Sequence, residues 1–196
     1  MPTDAMQIFL PAYSSLEREE LLKIISEISG SQSKRNIAMI TLAHETGLRV
    51  SELITLRAKN VSKRDGVPCK IIVTKQKGET LQEREIALSQ EAVNSILILL
   101  HLAKKKGPVK PSTFLAQSQR YGNTHIGREH FQHILKEAAK AAKIQEKVTT
   151  QTLRKTFAIN SCKRISEGQE NGDPIIRTTK NLGIKHINRT PINDES

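Results

Sequence analysis

Two arginines, far apart in the chain, stand in matching local settings. Arg49 follows the break Thr46-Gly47-Leu48 and precedes Val50-Ser51-Glu52-Leu53, which places it at the opening turn of a helix. Arg154 falls in the first turns of a second, threonine-capped helix, within Thr149-Thr150-Gln151-Thr152-Leu153-Arg154-Lys155-Thr156-Phe157-Ala158. A helix start offers backbone N–H groups and the positive end of a dipole, and a guanidinium adds a forked donor that keeps its charge. The chemistry of such a position is the holding of phosphate. The bland alternative for Arg49 is a surface ion pair with Glu52 one turn on, which would contribute little.

The elements that must position these arginines can be read from apolar spacing and turn residues. Ser15 to Glu20 opens a helix with acid in its first turn, and Leu21, Leu22, Ile24, Ile25 and Ile28 supply its stripe before Gly30. The next helix, with Ile37, Ile40, Leu42 and Ala43 buried, runs into Thr46, and Gly47 suits a left-handed stop. Leu53 and Leu56 begin the stripe that follows. Asp65-Gly66 marks a turn, after which Lys70 to Lys75 and Arg84 to Leu88 read as strands around a Gln76-Lys77-Gly78-Glu79 tip. Lys77 thus projects from a hairpin end, where a gatekeeping lysine on a small sheet is the alternative reading.

Ser89 opens a helix with Val93, Ile96, Leu97, Leu100 and Ala103 inward, and Lys104-Lys105-Lys106-Gly107 closes it with basic residues at the negative pole. Phe114-Leu115 reads as a short strand. Gly127 to Ile144 reads as a helix with Phe131, Ile134, Leu135, Ala138 and Ala142 inward. The helix carrying Arg154 buries Leu153, Phe157, Ala158, Cys162 and Ile165 and leaves Arg154 and Lys155 to one side. Asp173-Pro174 starts a last helix that Leu182-Gly183 stops. The expected architecture is α+β, mainly helical with a small antiparallel sheet, with residues 1–14 as a tail and 15–196 as one domain.

Composition narrows the partner. The chain has 196 residues and a formal net charge of +11, from 31 Lys and Arg against 20 Asp and Glu. Because the first 30 residues hold more acid than base, the rest is more basic than that total. A body of this kind suits a polyanion, nucleic acid before membrane, although solubilising charge alone gives the same count. Aromatic residues make up only 3% and Trp is absent, which disfavours a base-stacking single-strand surface and leaves duplex backbone.

Two cysteines, Cys69 and Cys162, make neither a disulfide framework nor a thiolate zinc cage, and a reducing cytoplasm is the expected location. The chain opens without a secretory pattern, and the apolar run from Ile96 to Ala103 is too short to span a bilayer, so no membrane partner is expected. His130 and His133 share a helix face near His125, but with no HExxH pattern and no evident third ligand, neither metal nor other cofactor is expected.

The strings TGLRVSELITL and QTLRKTFA, with Lys77-Gly78 and Arg84-Glu85-Ile86-Ala87-Leu88 between them, resemble the two arginine boxes and the hairpin lysine of the tyrosine recombinase (phage integrase) family. The resemblance runs from about Leu16 to Asn193. It implies the family's catalytic-domain fold, with Arg49 and Arg154 clamping a phosphodiester, Lys77 assisting the leaving 5′-oxygen, histidines moving protons and a tyrosine hydroxyl attacking phosphorus. It also implies DNA contacts from Lys75, Arg128, His130, Lys155, Lys185 and His186. With the first box beginning at Thr46, the family's N-terminal DNA-clamping domain is expected to be missing.

The resemblance breaks where the proton carriers and the nucleophile belong. Gln151 stands where the second box opens with histidine and cannot shuttle a proton near neutral pH. In the run Asn181 to Asn193, Ile184 takes a second histidine place and Asn193 the tyrosine place, with His186 two residues after Ile184. The only tyrosines are Tyr13 and Tyr121, and Cys162, on a buried face, is a poor nucleophile. The implied function is a duplex-binding protein of recombination and integration that does not cut, serving as a regulator or as accessory to an active recombinase on a mobile element. Its rivals are a working site-specific recombinase whose nucleophile comes from a partner or a longer chain, and a decayed domain kept for protein interaction.

Overall fold

The computed structural model describes residues 16, 18–77, 80–119 and 122–166, with the backbone alone at 75–77, 80–82 and 164–166. The structure is organised around helix α2 (Ser33–Thr46), which follows α1 (Arg18–Ser26). Ala38, Met39, Ile40, Leu42 and Ala43 are all buried, covering more than one stripe of α2, as suits a helix packed on several sides. It contacts α3 (Val50–Ile54), α4 (Gln90–Lys106), α5 (Arg128–Ala141) and α6 (Thr150–Ser166), while α1 lies on α5. The core continues through Ile96 and Leu99 of α4, Phe131 and Leu135 of α5, and Leu153 of α6.

Between α3 and α4 a short 3-10 turn (Ala58–Asn60) leads into three antiparallel strands, β1 (Val61–Arg64), β2 (Val67–Lys77) and β3 (Thr80–Ala87), in that spatial order. Asp65 and Gly66 take positive φ of 51° and 80°, the turn their sequence advertises. Strand β1 and the first residues of β2 were not expected. Pro68 argues against a strand reading, yet it pairs with Lys63 beside a register shift at Ser62 and Lys63, and the ladder with β3 begins only at Lys70. Ile71, Val73 and Ile86 form the buried face of the sheet.

Two inward assignments are corrected. Leu22 is 55% exposed and Leu97 45% exposed, because α1 turns Leu21 and Ile24 inward and α4 buries Val93, Ile96, Leu99 and Ala103. Each misread leucine sits about 100° around its helix from a buried neighbour. The strand expected at Phe114-Leu115 reduces to isolated bridges, Arg57 with Phe114 and Gln117 with His125. The capping of α4 is as read, with Ser89 Oγ accepting from the Ala92 N–H at 3.2 Å. Cys162 is buried, and the Leu16 N–H donates to Thr156 Oγ1 at 2.8 Å, tying the start of the described chain to α6.

Candidate phosphate-binding site

Helix α2 ends in a left-handed glycine. Gly47 takes φ 59° and ψ 21°, and its N–H donates to the Ala43 carbonyl at 3.0 Å, closing the helix where a side chain would be strained. The Gly47 carbonyl accepts a hydrogen bond from Nη1 of Arg154, which lies 107 residues further on. Arg154 stands one turn into α6, whose first residues are tied by mutual Thr149 and Thr152 contacts, the Thr152 N–H donating to Thr149 Oγ1 at 3.2 Å. Packing of α6 on α2 therefore joins the two arginine segments at one corner.

Arg49 occupies the N-cap of α3 in extended conformation. Its backbone N–H donates to Glu52 Oε2 at 2.7 Å, the carboxylate half of a capping box, and its Nη1 donates to Glu52 Oε1 at 3.2 Å. The ion pair that the bland reading of Arg49 anticipates thus exists. It is not the main interaction of the carboxylate. Arg84, on the buried face of β3 opposite Val73, donates from Nη1 to Oε1 at 3.0 Å and from Nη2 to Oε2 at 2.7 Å. This is a two-pronged fork of the strong kind.

Exposure separates the roles. The side chains of Glu52 and Arg84 are each 14% exposed, whereas that of Arg49 is 38% exposed. Only Arg49 of these three presents much of its donor edge outward. Burial alone would raise the Glu52 carboxyl. The Arg84 hydrogen bonds, the Arg49 N–H and the charges of both arginines overcome it and hold Glu52 below the usual carboxylate range. Arg154 is pushed the other way, down to about 10, first by burial and then by the like charge of Arg49, with Glu52 partly offsetting and Arg84 adding. Among the described residues Arg49, Arg84 and Arg154 thus bear on the one carboxylate of Glu52, an excess of guanidinium over carboxylate at a half-open corner. An oxyanion placed there would relieve that excess.

Of the residues singled out in the sequence, Arg49 and Arg154 are brought together. Gln151 is exposed, three residues before Arg154 on α6, and Lys155 is half-buried beside it in the chain. Arg128 and His130 are exposed in the first turn of α5. Lys77 is the last residue of β2, paired in register with Thr80, so it stands at the hairpin end, with Lys75 opposite Gln82. The side chains of Lys75 and Lys77 lie outside the described residues, as do Ile184, Lys185, His186, Asn193, Tyr13 and Tyr121. His125 sets its ring edge-on to Phe114, with centroids 5.0 Å apart. Among the described residues no three His, Cys, Asp or Glu side chains group to hold a metal, and no helix is long and apolar enough to cross a membrane.

Arg84 is the residue that sequence reasoning passed over as ordinary strand. A signal was present. Arg84 and Ile86 are two apart and therefore share a face, so a charge stood at a register position meant for the core.

The sequence model described as the phage integrase family matches residues 14–164, which contain both arginines, Glu52 and Arg84. Tyrosine recombinase XerD of Pseudomonas putida is 27% identical over 165 residues, covering 81% of this chain and 51% of that protein. The chain spans about half the length of the curated relatives it matches. Among solved structures, XerA recombinase superposes with a TM-score of 0.66 at 24% identity, covering 91% of this chain and 59% of that one. The XerH site-specific recombinase bound to its difH substrate superposes with a TM-score of 0.64 at 21% identity, covering 90% of this chain and 48% of that one. The mainly helical fold with its small antiparallel sheet is that of recombinase catalytic domains, and with the family match over most of its length the chain belongs to the phage integrase family of tyrosine recombinases.

Proposed function

We propose that the protein binds duplex DNA through its sugar-phosphate backbone, with Arg49 and Arg154 holding the oxygens of one phosphodiester, and that it does not cut the strand. The observation that carries the binding half is the meeting of Arg154 with Arg49 at the corner of α2, α3 and α6, where burial first and the like charge of Arg49 next lower Arg154 to about 10. Lys77 and Lys75 at the hairpin, Lys155 on α6 and Arg128 and His130 on α5 would extend the contact along the backbone, as would Lys185 and His186. The DNA substrate bound in the XerH structure fits the same reading. What supports the non-cutting half is chemical identity. Gln151, Ile184 and Asn193 stand where the family has two histidines and a tyrosine, and none of them can move a proton near neutral pH or attack phosphorus. The role is that of a regulator or accessory in recombination.

Two measurements test it together. Duplex affinity is expected to fall steeply and linearly on a log-log plot against salt, and Arg49→Ala to weaken it by about tenfold or more while the protein remains folded. A nicked suicide duplex resolved on a denaturing gel is expected to yield no covalent protein-DNA band. Affinity that ignores salt would overturn the binding half, and a covalent band would overturn the other.

A further inference from the structure

We infer that Arg84 is a positioning residue, whose task is to hold Glu52 so that this carboxylate does not neutralise Arg49. The inference deepens the phosphate-holding reading above and rests on it. The Glu52 carboxylate receives four donors: two from the Arg84 fork at 3.0 and 2.7 Å, the Arg49 backbone N–H at 2.7 Å and Arg49 Nη1 at 3.2 Å. The last is the longest. With both oxygens claimed by Arg84, the Arg49 side chain meets Glu52 through one nitrogen only, and the rest of its five N–H donors remain available to an outside anion.

The construction around Arg84 agrees with this task. It rises from the buried face of β3 beside Val73 and Ile86, and its Nε is buried without a partner. Its polar capacity is thus directed through the two terminal nitrogens to Glu52. At 14% exposure it is poorly placed to meet a bulky polyanion itself. Glu52 also has a reason to be present, since it caps the start of α3 and so fixes the backbone of Arg49. A carboxylate needed for capping is a competitor for the side chain it positions. A second arginine resolves the conflict by taking the carboxylate over.

The consequence is specific. Without Arg84, the buried Glu52 carboxylate keeps its charge only by drawing Arg49 fully onto itself, and that removes Arg49 from the phosphate site. The test is duplex binding across a salt series for wild type, R84M and the double variant R84M/E52Q, each checked for folding by circular dichroism. R84M is expected to lose about tenfold in affinity and about one unit of salt slope. R84M/E52Q is expected to regain affinity to within about threefold of wild type, because the competing charge is gone. A merely structural role for Arg84 predicts instead that affinity is lost only in proportion to the unfolded fraction seen by circular dichroism, so a folded R84M would bind as wild type.

Wild-type affinity and slope in R84M would overturn the inference, and so would a double variant as weak as R84M. Should R84M not fold, R84K with and without E52Q carries the same test. A lysine keeps the charge and loses the fork, so R84K is expected to weaken binding and E52Q to restore it, and full binding by R84K overturns the inference. Absence of duplex binding by the wild-type protein would instead sink the phosphate reading itself.

Discussion

The two ends of helix α2 each hold an arginine withdrawn from solvent, Arg35 buried and Arg154 half-buried, and they are built in opposite ways. At the start, Arg35 is 5% exposed and gives its donors to neutral acceptors: Nε and Nη2 to Asn36 Oδ1 at 3.1 and 2.9 Å, Nη1 to the Gln117 carbonyl at 3.1 Å. Burial lowers it, and nearby Lys106 is lowered first by its own burial and then by the charge of Arg35. At the end, Arg154 also meets a backbone carbonyl, but its depression comes from burial together with the charges of Arg49 and Arg84. Burial of a guanidinium therefore does not mark a site. Crowding of like charge that one carboxylate cannot balance does.

That contrast predicts a separation of binding from stability. Arg154→Met is expected to cost about ten- to a hundredfold in duplex affinity, the range for one charge-assisted contact of about 1.5–3 kcal/mol, while the melting temperature barely moves. Loss of the hydrogen bond to Gly47 is offset by relief of the repulsion with Arg49 and Arg84. Arg35→Met is expected to do the reverse. It strands Asn36 Oδ1 and the Gln117 carbonyl in a buried setting at a cost of about 1–3 kcal/mol, lowering the melting temperature by several degrees with duplex affinity within about twofold of wild type. If both variants lost affinity alike, the two ends would not be different kinds of place, and the charge-crowding criterion would fail.

About half of the second end of this contrast was legible in the sequence, and little of the first. Gly47 and Ser89 announce helix limits through chemistry confined to a few neighbouring residues, and Arg49 and Arg154 sit in strings specific enough to point at a family. What was not legible depends on register and packing. Arg84 reaches Glu52 only because β2 and β3 pair with Val73 opposite Arg84 and because the sheet lies beside α3. No spacing within the sequence encodes that meeting across 32 positions. The first residues of β2 were hidden by Pro68, and Leu22 and Leu97 misled because consecutive apolar residues on a helix do not say which of them faces the core. Arg35 carries no local signal that sets it apart from a surface cation. Its burial follows from the loop that carries Gln117, 82 positions away.

The finest distinction between the two arginines is in protons. Arg154, free of ligand, is lowered to about 10, well below the ordinary guanidinium range, by burial and by the charge of Arg49. Being lowered in the folded state, it costs stability fully below pH 10, where the folded protein must carry the crowded charge. Above about 10, up to the ordinary guanidinium range, the unfolded chain binds more protons, so this group makes stability rise with pH through that window. Binding runs the other way. A phosphate beside Arg154 favours the charged form and lifts the midpoint back, so near pH 10 association must take up a fraction of a proton, and affinity must fall as pH rises through that value. Calorimetric titration of a short duplex at pH 10, in two buffers of different ionisation enthalpy, measures the uptake. Subtracting the same measurement on Arg154→Met cancels the lysines that titrate in the same range. A positive difference of less than one proton is expected, together with no such difference for Arg35→Met. A zero difference at Arg154 would mean that the phosphate never reaches the crowded guanidinium, and the site would then lie elsewhere on the basic face.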